Sequence, residues 1–105
     1  MAKAKLEKFK SDELLLADAA KAMSHPARIK ILKILSEYNA CFCGEIVDLL
    51  PLSQATVSQH LKELKRVGLI KGEIEGPKTC YCINEELLNK VTKQLTSFLS
   101  NVCKC

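Results

Sequence analysis

Six cysteines stand in three pairs with a single residue between the members of each: Cys41 and Cys43, Cys80 and Cys82, Cys103 and Cys105. In an extended segment successive side chains alternate, so each pair presents both sulfurs on one face. Soft thiolates placed in this way select thiophilic ions. Three suit pyramidal trivalent arsenic, As(III), or antimony, Sb(III), and four suit tetrahedral zinc or cadmium. The same thiols can carry oxidation or persulfide chemistry when one of low pKa has a partner thiol nearby. Free cysteine is also among the most buried residue types, so each pair has a plainer reading as small core side chains. That reading is weakest for Cys103 and Cys105, at the C-terminal end of the sequence, where chains usually fray.

The chain that must position these groups has 105 residues, enough for one domain with a modest core that gains from dimerisation. With 48% hydrophobic and 27% charged residues and no tryptophan, it fits a soluble helical protein rather than a disordered tail. Its longest apolar runs, such as residues 14–17, are far shorter than a membrane span or a signal-peptide core. No membrane contact is expected, and the cytoplasm is the expected compartment. In a reducing cytosol cysteines serve as ligands or redox thiols more often than as structural disulfides. A net charge of +4 is too mild to name a partner by itself. His25 and His60 stand at a helix start and within a helix, with no phosphate loop or paired carboxylates beside them, so an enzyme is not expected. Glu73 and Glu75 alternate along one strand and read as exposed edge charges.

Residues 1–11, rich in lysine, read as a basic arm, and residues 12–105 as one folded unit. In "DELLLADAAKAM", from Asp12 to Met23, apolar residues recur at helical spacing behind an acidic first turn. Ser24 offers an N-cap and Pro26 a first turn for "ARIKILKILSEY", with Ile31, Leu32 and Leu35 facing inward. After a break carrying Cys41 and Cys43, "GEIVDLL" reads as a helix stopped by Pro51. Ser53 can cap "QATVSQHLKELKRVG", in which Val57, Leu61 and Leu64 share one face and Gly68 supplies a left-handed end. "LIKGEIEGPKTCYCIN" reads as two strands around a Gly-Pro turn, and "EELLNKVTKQLTSFLSNVC" as a closing helix. The expected order is four helices, two strands and a helix, with the third and fourth helices forming a helix-turn-helix.

On the fourth of these helices, 100° per residue sets Ala55, Ser58, Gln59, Lys62 and Arg66 around the side opposite the apolar stripe. Ser58 and Gln59 suit base edges in a major groove, and Ala55 or the methyl of Thr56 suits a thymine methyl. Lys62, Lys65 and Arg66, with Lys78 beside the Gly-Pro turn, suit phosphates. The same residue types occur on any exposed helix face, and His60, about 60° from the core direction, reads as a boundary residue. On the last helix Leu88, Val91, Leu95, Phe98 and Val102 recur at spacings of three and four, the pattern of a packing seam. They are expected to join two copies as a homodimer. Two recognition helices about one DNA turn apart then require a roughly palindromic operator.

The stretches "SHPARIKILKIL", "LPLSQATVSQHLKELKRVGLIKGE" and "GPKTCYCIN" fall in the order and spacing of a known family. The chain resembles the ArsR/SmtB family of bacterial winged-helix repressors, whose usual pattern is a Ser-Gln-x-Thr-Val-Ser-x-His-Leu recognition helix, a Gly-Leu-hydrophobic exit and a strand ending Tyr-Tyr-x-Leu. The resemblance covers about Ala22 to Asn84. It implies a mainly α winged helix-turn-helix with a small β wing, dimerised through its first and last helices, with Leu14 and Leu15 contributed by the first. It also implies operator binding without effector and release when a metal ion or other effector binds. DNA contact carries over to Ser53, Gln54, Thr56, Ser58 and Gln59, the positions that match. In such a fold the segment before the helix-turn-helix commonly pairs with the last wing strand, which would set "CFC" beside "CYC" and turn Phe42 and Tyr81 to the other face.

Arsenic-responsive members of the family often carry Cys-Val-Cys-Asp-Leu-Cys before the recognition helix. Counted back from Ser53, those cysteines fall at Phe42, Gly44 and Val47 here, so that site does not carry over. The zinc site that some relatives build on the last helix needs histidine, and Glu85 to Asn101 has none. The expected effector site is therefore Cys41 and Cys43 with a third thiolate from Cys80 or Cys82, or from Cys103 or Cys105. A redox or persulfide sensor, and a structural zinc module holding the wing to the core, are the alternatives.

Overall fold

The computed structural model describes residues 8–75 and 78–103, and side chains within 73–79 fall outside the description. Most of the basic arm, the Gly-Pro turn and Cys105 lie outside the described residues, as do the side chains of Glu73, Glu75 and Lys78.

Helix α1 is Ser11–Ala22. Its first turn holds Asp12 and Glu13 at the positive end of the dipole, and the Glu13 carboxylate accepts the Lys10 N–H at 3.0 Å. Helix α2 is Pro26–Glu37. Its N-cap is His25 rather than Ser24: the His25 Nδ1 accepts the Ala27 N–H at 3.0 Å. The Ser24 hydroxyl instead donates back to the Lys21 carbonyl at 2.7 Å, closing the end of α1.

Between α2 and the next α-helix the chain departs from the sequence expectation. Asn39 and Ala40 take positive φ values of 58° and 74°, and the chain reverses into strand β1, Cys41–Gly44. "GEIVDLL" does not make an α-helix; only a single 3-10 turn forms, at Ile46–Leu49. The strand claims Gly44 and Pro51 stops the other end, leaving too few residues to offset the cost of nucleating a helix. Helix α3, Gln54–Val67, then starts at Ser53 and ends at Gly68, whose φ of 92° a side chain would resist.

Strands β2, Ile70–Glu75, and β3, Lys78–Ile83, form the wing, and helix α4, Glu85–Val102, completes the chain. The Asn84 side chain caps α4 by accepting the Leu87 N–H at 3.3 Å. It also donates to the Gly68 carbonyl at 2.9 Å, fixing the start of α4 to the end of α3. The antiparallel sheet has the order β1-β3-β2, with Phe42 opposite Tyr81 and Gly72 opposite Tyr81 on the other side. One core joins all of these elements: Ile31 and Leu35 of α2, Leu64 of α3, Leu69, Ile70, Tyr81 of β3 and Val91 of α4.

Leu64 has no exposed surface. Leu64→Ala is expected to cost about 2–5 kcal/mol, read as a lower midpoint in chemical or thermal unfolding.

Candidate nucleic-acid interface and four-cysteine face

Helix α3 buries Val57, His60, Leu61 and Leu64 and turns its other side to solvent. Ser53, Gln54, Ala55, Thr56, Gln59, Lys62, Lys65 and Arg66 are exposed, and Ser58 is half-buried. The predicted polar face is exposed over most of its length, with Ser53, Thr56 and Arg66 already engaged within it. The Ser53 hydroxyl accepts the Thr56 N–H at 3.3 Å and lies 3.0 Å from the Thr56 hydroxyl, so these residues shape the helix start. The N-terminal end of a helix is the end that attracts phosphate. Arg66 makes a two-pronged bond to Glu63, 2.8 and 3.2 Å, which holds the Glu63 carboxyl below the usual carboxylate range. Exchanging that carboxylate for a phosphate would replace one exposed charge pair by another at small net cost.

The sheet settles how the cysteines face. Cys41 lies opposite Cys82 and Cys43 opposite Cys80, so all four sulfurs project from the same face. Cys41, Cys43 and Cys80 are exposed and Cys82 is half-buried, whereas Tyr81 is 3% exposed on the core side. The core-residue reading therefore fails for these two pairs. Their sulfurs are joined as cross-strand disulfides, Cys41 to Cys82 and Cys43 to Cys80, with Cα atoms 4.0 and 4.1 Å apart. This corrects the expectation of free thiols: in this structure the four are oxidised in pairs. In that state no three free ligand side chains gather among the described residues, while reduction would return four soft donors to one face. Cys103 is a free, exposed thiol at the end of α4, not part of the sheet.

Beyond β1 the chain passes Gly44, at φ 138°, into the 3-10 turn. A small cleft there is lined by Gly44, Glu45 and Val47 on one side and by Gln54, Val57 and Ser58 of α3 on the other. Strand β1 and helix α3 are thus joined by a few residues of chain, which line one side of that cleft.

The expected dimer seam divides. Val91 is 3% exposed and belongs to the subunit core, with Leu15 and Leu88 packed against that core, where α4 meets α1. Leu14, Leu95, Phe98 and Val102 remain exposed. An apolar groove of about 970 Å³ runs between α1 and α4, with Leu14, Ala17, Leu95 and Phe98 in its walls.

A 3-10 turn leading into helix α3, followed by a small antiparallel wing, is the architecture of a winged-helix protein, with the first helix of the expected helix-turn-helix reduced to that turn. The chain belongs to the ArsR family: the model described as "Bacterial regulatory protein, arsR family" matches residues 25–71. It is 37% identical over 77 residues to the uncharacterised HTH-type transcriptional regulator MJ1325 of Methanocaldococcus jannaschii, covering 73% of this chain and 86% of that protein. It is 32% identical over 80 residues to the arsenical resistance operon repressor of Staphylococcus xylosus, covering 76% of each. The solved ArsR-like transcriptional regulator from Rhodococcus sp. RHA1 has the same fold, with a TM-score of 0.70 over 88% of this chain and 86% of that one at 23% identity. These are regulators, not enzymes. No helix among the described residues is long and apolar enough to cross a membrane.

Two substitutions separate base reading from phosphate contact. Gln59→Ala is expected to weaken operator binding about 5- to 100-fold and to relax discrimination against altered sites. Lys65→Ala should weaken binding to all duplexes alike and make the salt dependence shallower by about one unit of slope. Binding titrations at several salt concentrations on matched and mismatched duplexes distinguish the two.

Proposed function

We propose that the protein is a homodimeric repressor that holds a roughly palindromic double-stranded operator through α3 and releases it when a thiophilic effector engages the four-cysteine face. Trivalent arsenic and antimony are the leading effectors, with zinc and cadmium as further candidates. The observation that carries this reading is the β1–β3 register, which gathers Cys41, Cys43, Cys80 and Cys82 on one accessible face next to the chain leading into α3. Reduced, these residues offer three thiolates for a pyramidal ion or four for a tetrahedral one. The arsenical resistance repressor of Staphylococcus xylosus supports the same class of effector. The exposed apolar residues along α1 and α4 support a second copy as the partner there. The expected place of action is the cytoplasm, where the operator lies.

A thiol redox sensor is the second reading, and the paired sulfurs favour it specifically. In that case oxidation of each dithiol to a disulfide, rather than ion binding, changes the tension between β1 and β3. Both readings act through the same strands and differ in the reagent.

The test titrates phosphine-reduced protein with arsenite while following ultraviolet thiolate absorption and binding to a duplex from upstream of its own gene. About one arsenite per subunit with loss of DNA is expected. Cys41→Ser with Cys43→Ser should keep DNA binding and abolish that release. Normal release in the double mutant would overturn the assignment. DNA loss with a hydroperoxide, reversed by a dithiol and unaffected by arsenite, would transfer the site to the redox reading.

A further inference from the structure

Arg28 of α2 makes contacts in two directions. Its terminal NH1 donates to the carbonyls of Lys21 and Ala22 at the C-terminal end of α1, at 3.1 and 3.3 Å. Its Nε donates to Nδ1 of His60 in the recognition helix at 3.0 Å. One guanidinium therefore joins three helices. His60 is 7% exposed and is the buried polar side chain among the described residues. Its ring centre lies 4.4 Å from that of His25, whose own Nδ1 is occupied by the Ala27 N–H.

An imidazole nitrogen that accepts a hydrogen bond carries no proton, so His60 here is neutral with its N–H at Nε2. Arginine stays charged throughout the accessible pH range and cannot become an acceptor. Adding a proton at Nδ1 would set N–H against N–H and positive charge against positive charge, in a site with little water to screen them.

We propose that Arg28 and His60 are positioning residues for the recognition helix, and that protonation of His60 unfastens α3 from α1 and α2, making operator binding proton-sensitive. This rests on the reading of α3 as the operator-binding helix. It involves none of the cysteines and none of the DNA-facing side chains.

Charged and titratable groups approach this cluster from each packed helix. Helix α1 brings Asp18 and Lys21, α2 brings His25 and Arg28, and α3 itself brings Glu63 and Arg66. Glu63 is engaged by Arg66, and Asp18 acts on Arg66. The 3-10 turn and β2 also pack on α3, but their Asp48 and Lys71 are not among the groups acting on His60. Burial first, then His25 and Arg28, hold the His60 imidazole below its ordinary value. The sign follows from this lowering. A released His60 takes up a proton as pH falls through about 6.5, whereas the fastened one resists. The fastened state is fully favoured above that pH and loses ground below it, until its own lowered value is passed.

The experiment measures the dissociation constant for a labelled duplex from upstream of the gene at about pH 8 and about pH 5.5, at constant ionic strength, and compares the ratio among variants. For the wild type the dissociation constant is expected to be several-fold larger at about pH 5.5 than at about pH 8, the direction set by the lowered His60 value. His60→Gln keeps an acceptor for Arg28 but does not titrate, so its ratio should fall close to one. His25→Asn keeps a capping acceptor and should retain a clear pH dependence, reduced only by the loss of His25's share of the lowering, since burial and Arg28 remain. An unchanged ratio in His60→Gln, or its loss in His25→Asn, would overturn the proposal. In parallel, nuclear magnetic resonance of the free wild-type protein should show α3 amides shifting together with the His60 ring as it titrates. Ring titration without any response in α3 would also overturn it. This second readout needs no DNA, so failure to bind the duplex at pH 8 counts against the operator reading while the latch is still decided.

Discussion

Everything exposed at the cysteine face depends on the pairing of β1 with β3, and that pairing is set by what lies beneath it. Tyr81 is buried in the core and Phe42 packs against the same cluster from the opposite strand. Because side chains alternate along a strand, a slip of one residue would carry Phe42 outward and drive a sulfur inward. Phe42 is half-buried, so the slipped register forfeits a share of the roughly 1.5–3 kcal/mol that full burial of such a side chain is worth and is disfavoured. Gly72 adds a steric condition from the other side. A Cβ there would overlap the Cys80 carbonyl and Tyr81, so β2 approaches β3 closely only because this position has no side chain. Hydrophobic burial and backbone contact thus determine which way the sulfurs point.

The same strand pair makes the sulfurs consequential. β1 is short and held at both ends: the Ala40 carbonyl accepts the Ile83 N–H at 2.7 Å before it, and the 3-10 turn packs on α3 after it. The two disulfides are nested, with sequence separations of 41 and 37 residues. In a chain-entropy account the first to close a loop of that size removes about 4 kcal/mol of unfolded-state freedom. The second closes only the small ring left between the strands and adds far less. One bond would therefore suffice for stability, and the second sulfur pair gains its significance from chemistry at the face.

Local signals in the sequence located most of the elements. Ser53 and Gly68 bound α3 as their capping preferences require, and the apolar stripe Val57, Leu61, Leu64 identified its buried side. Non-local choices were not readable in the same way. Gly44 and Pro51 confined "GEIVDLL" to a 3-10 turn because a strand that needs a distant partner took the residues before it. Val91 fits a seam by spacing, yet which neighbour fills the seam depends on how α4 crosses α1. His60 stood at the boundary of the apolar arc, and its burial depends on Arg28, thirty-two positions earlier, meeting its nitrogen. A polar pair of that separation leaves no periodic trace. The alternation of "CFC" and "CYC" gave the shared face of each pair, while the partner strand came from the family resemblance.

Control of α3 can reach it at two places, and the physics of its core face limits what that control can be. Its N-terminal end meets the cleft beyond β1, and its middle meets Arg28 through His60. Between them Val57, Leu61 and Leu64 remain buried in the common core. Unfolding the helix would expose all of them, at a cost far above the roughly 1–3 kcal/mol typical of coupling between two sites. Tilting or sliding it as a body preserves most of that burial, yet shifts Gln54, Gln59 and Lys65 relative to any groove they occupy. A cross-strand change near one end and a lost hydrogen bond near the middle would each bias the same rigid element. The two inputs therefore share one output without sharing a residue.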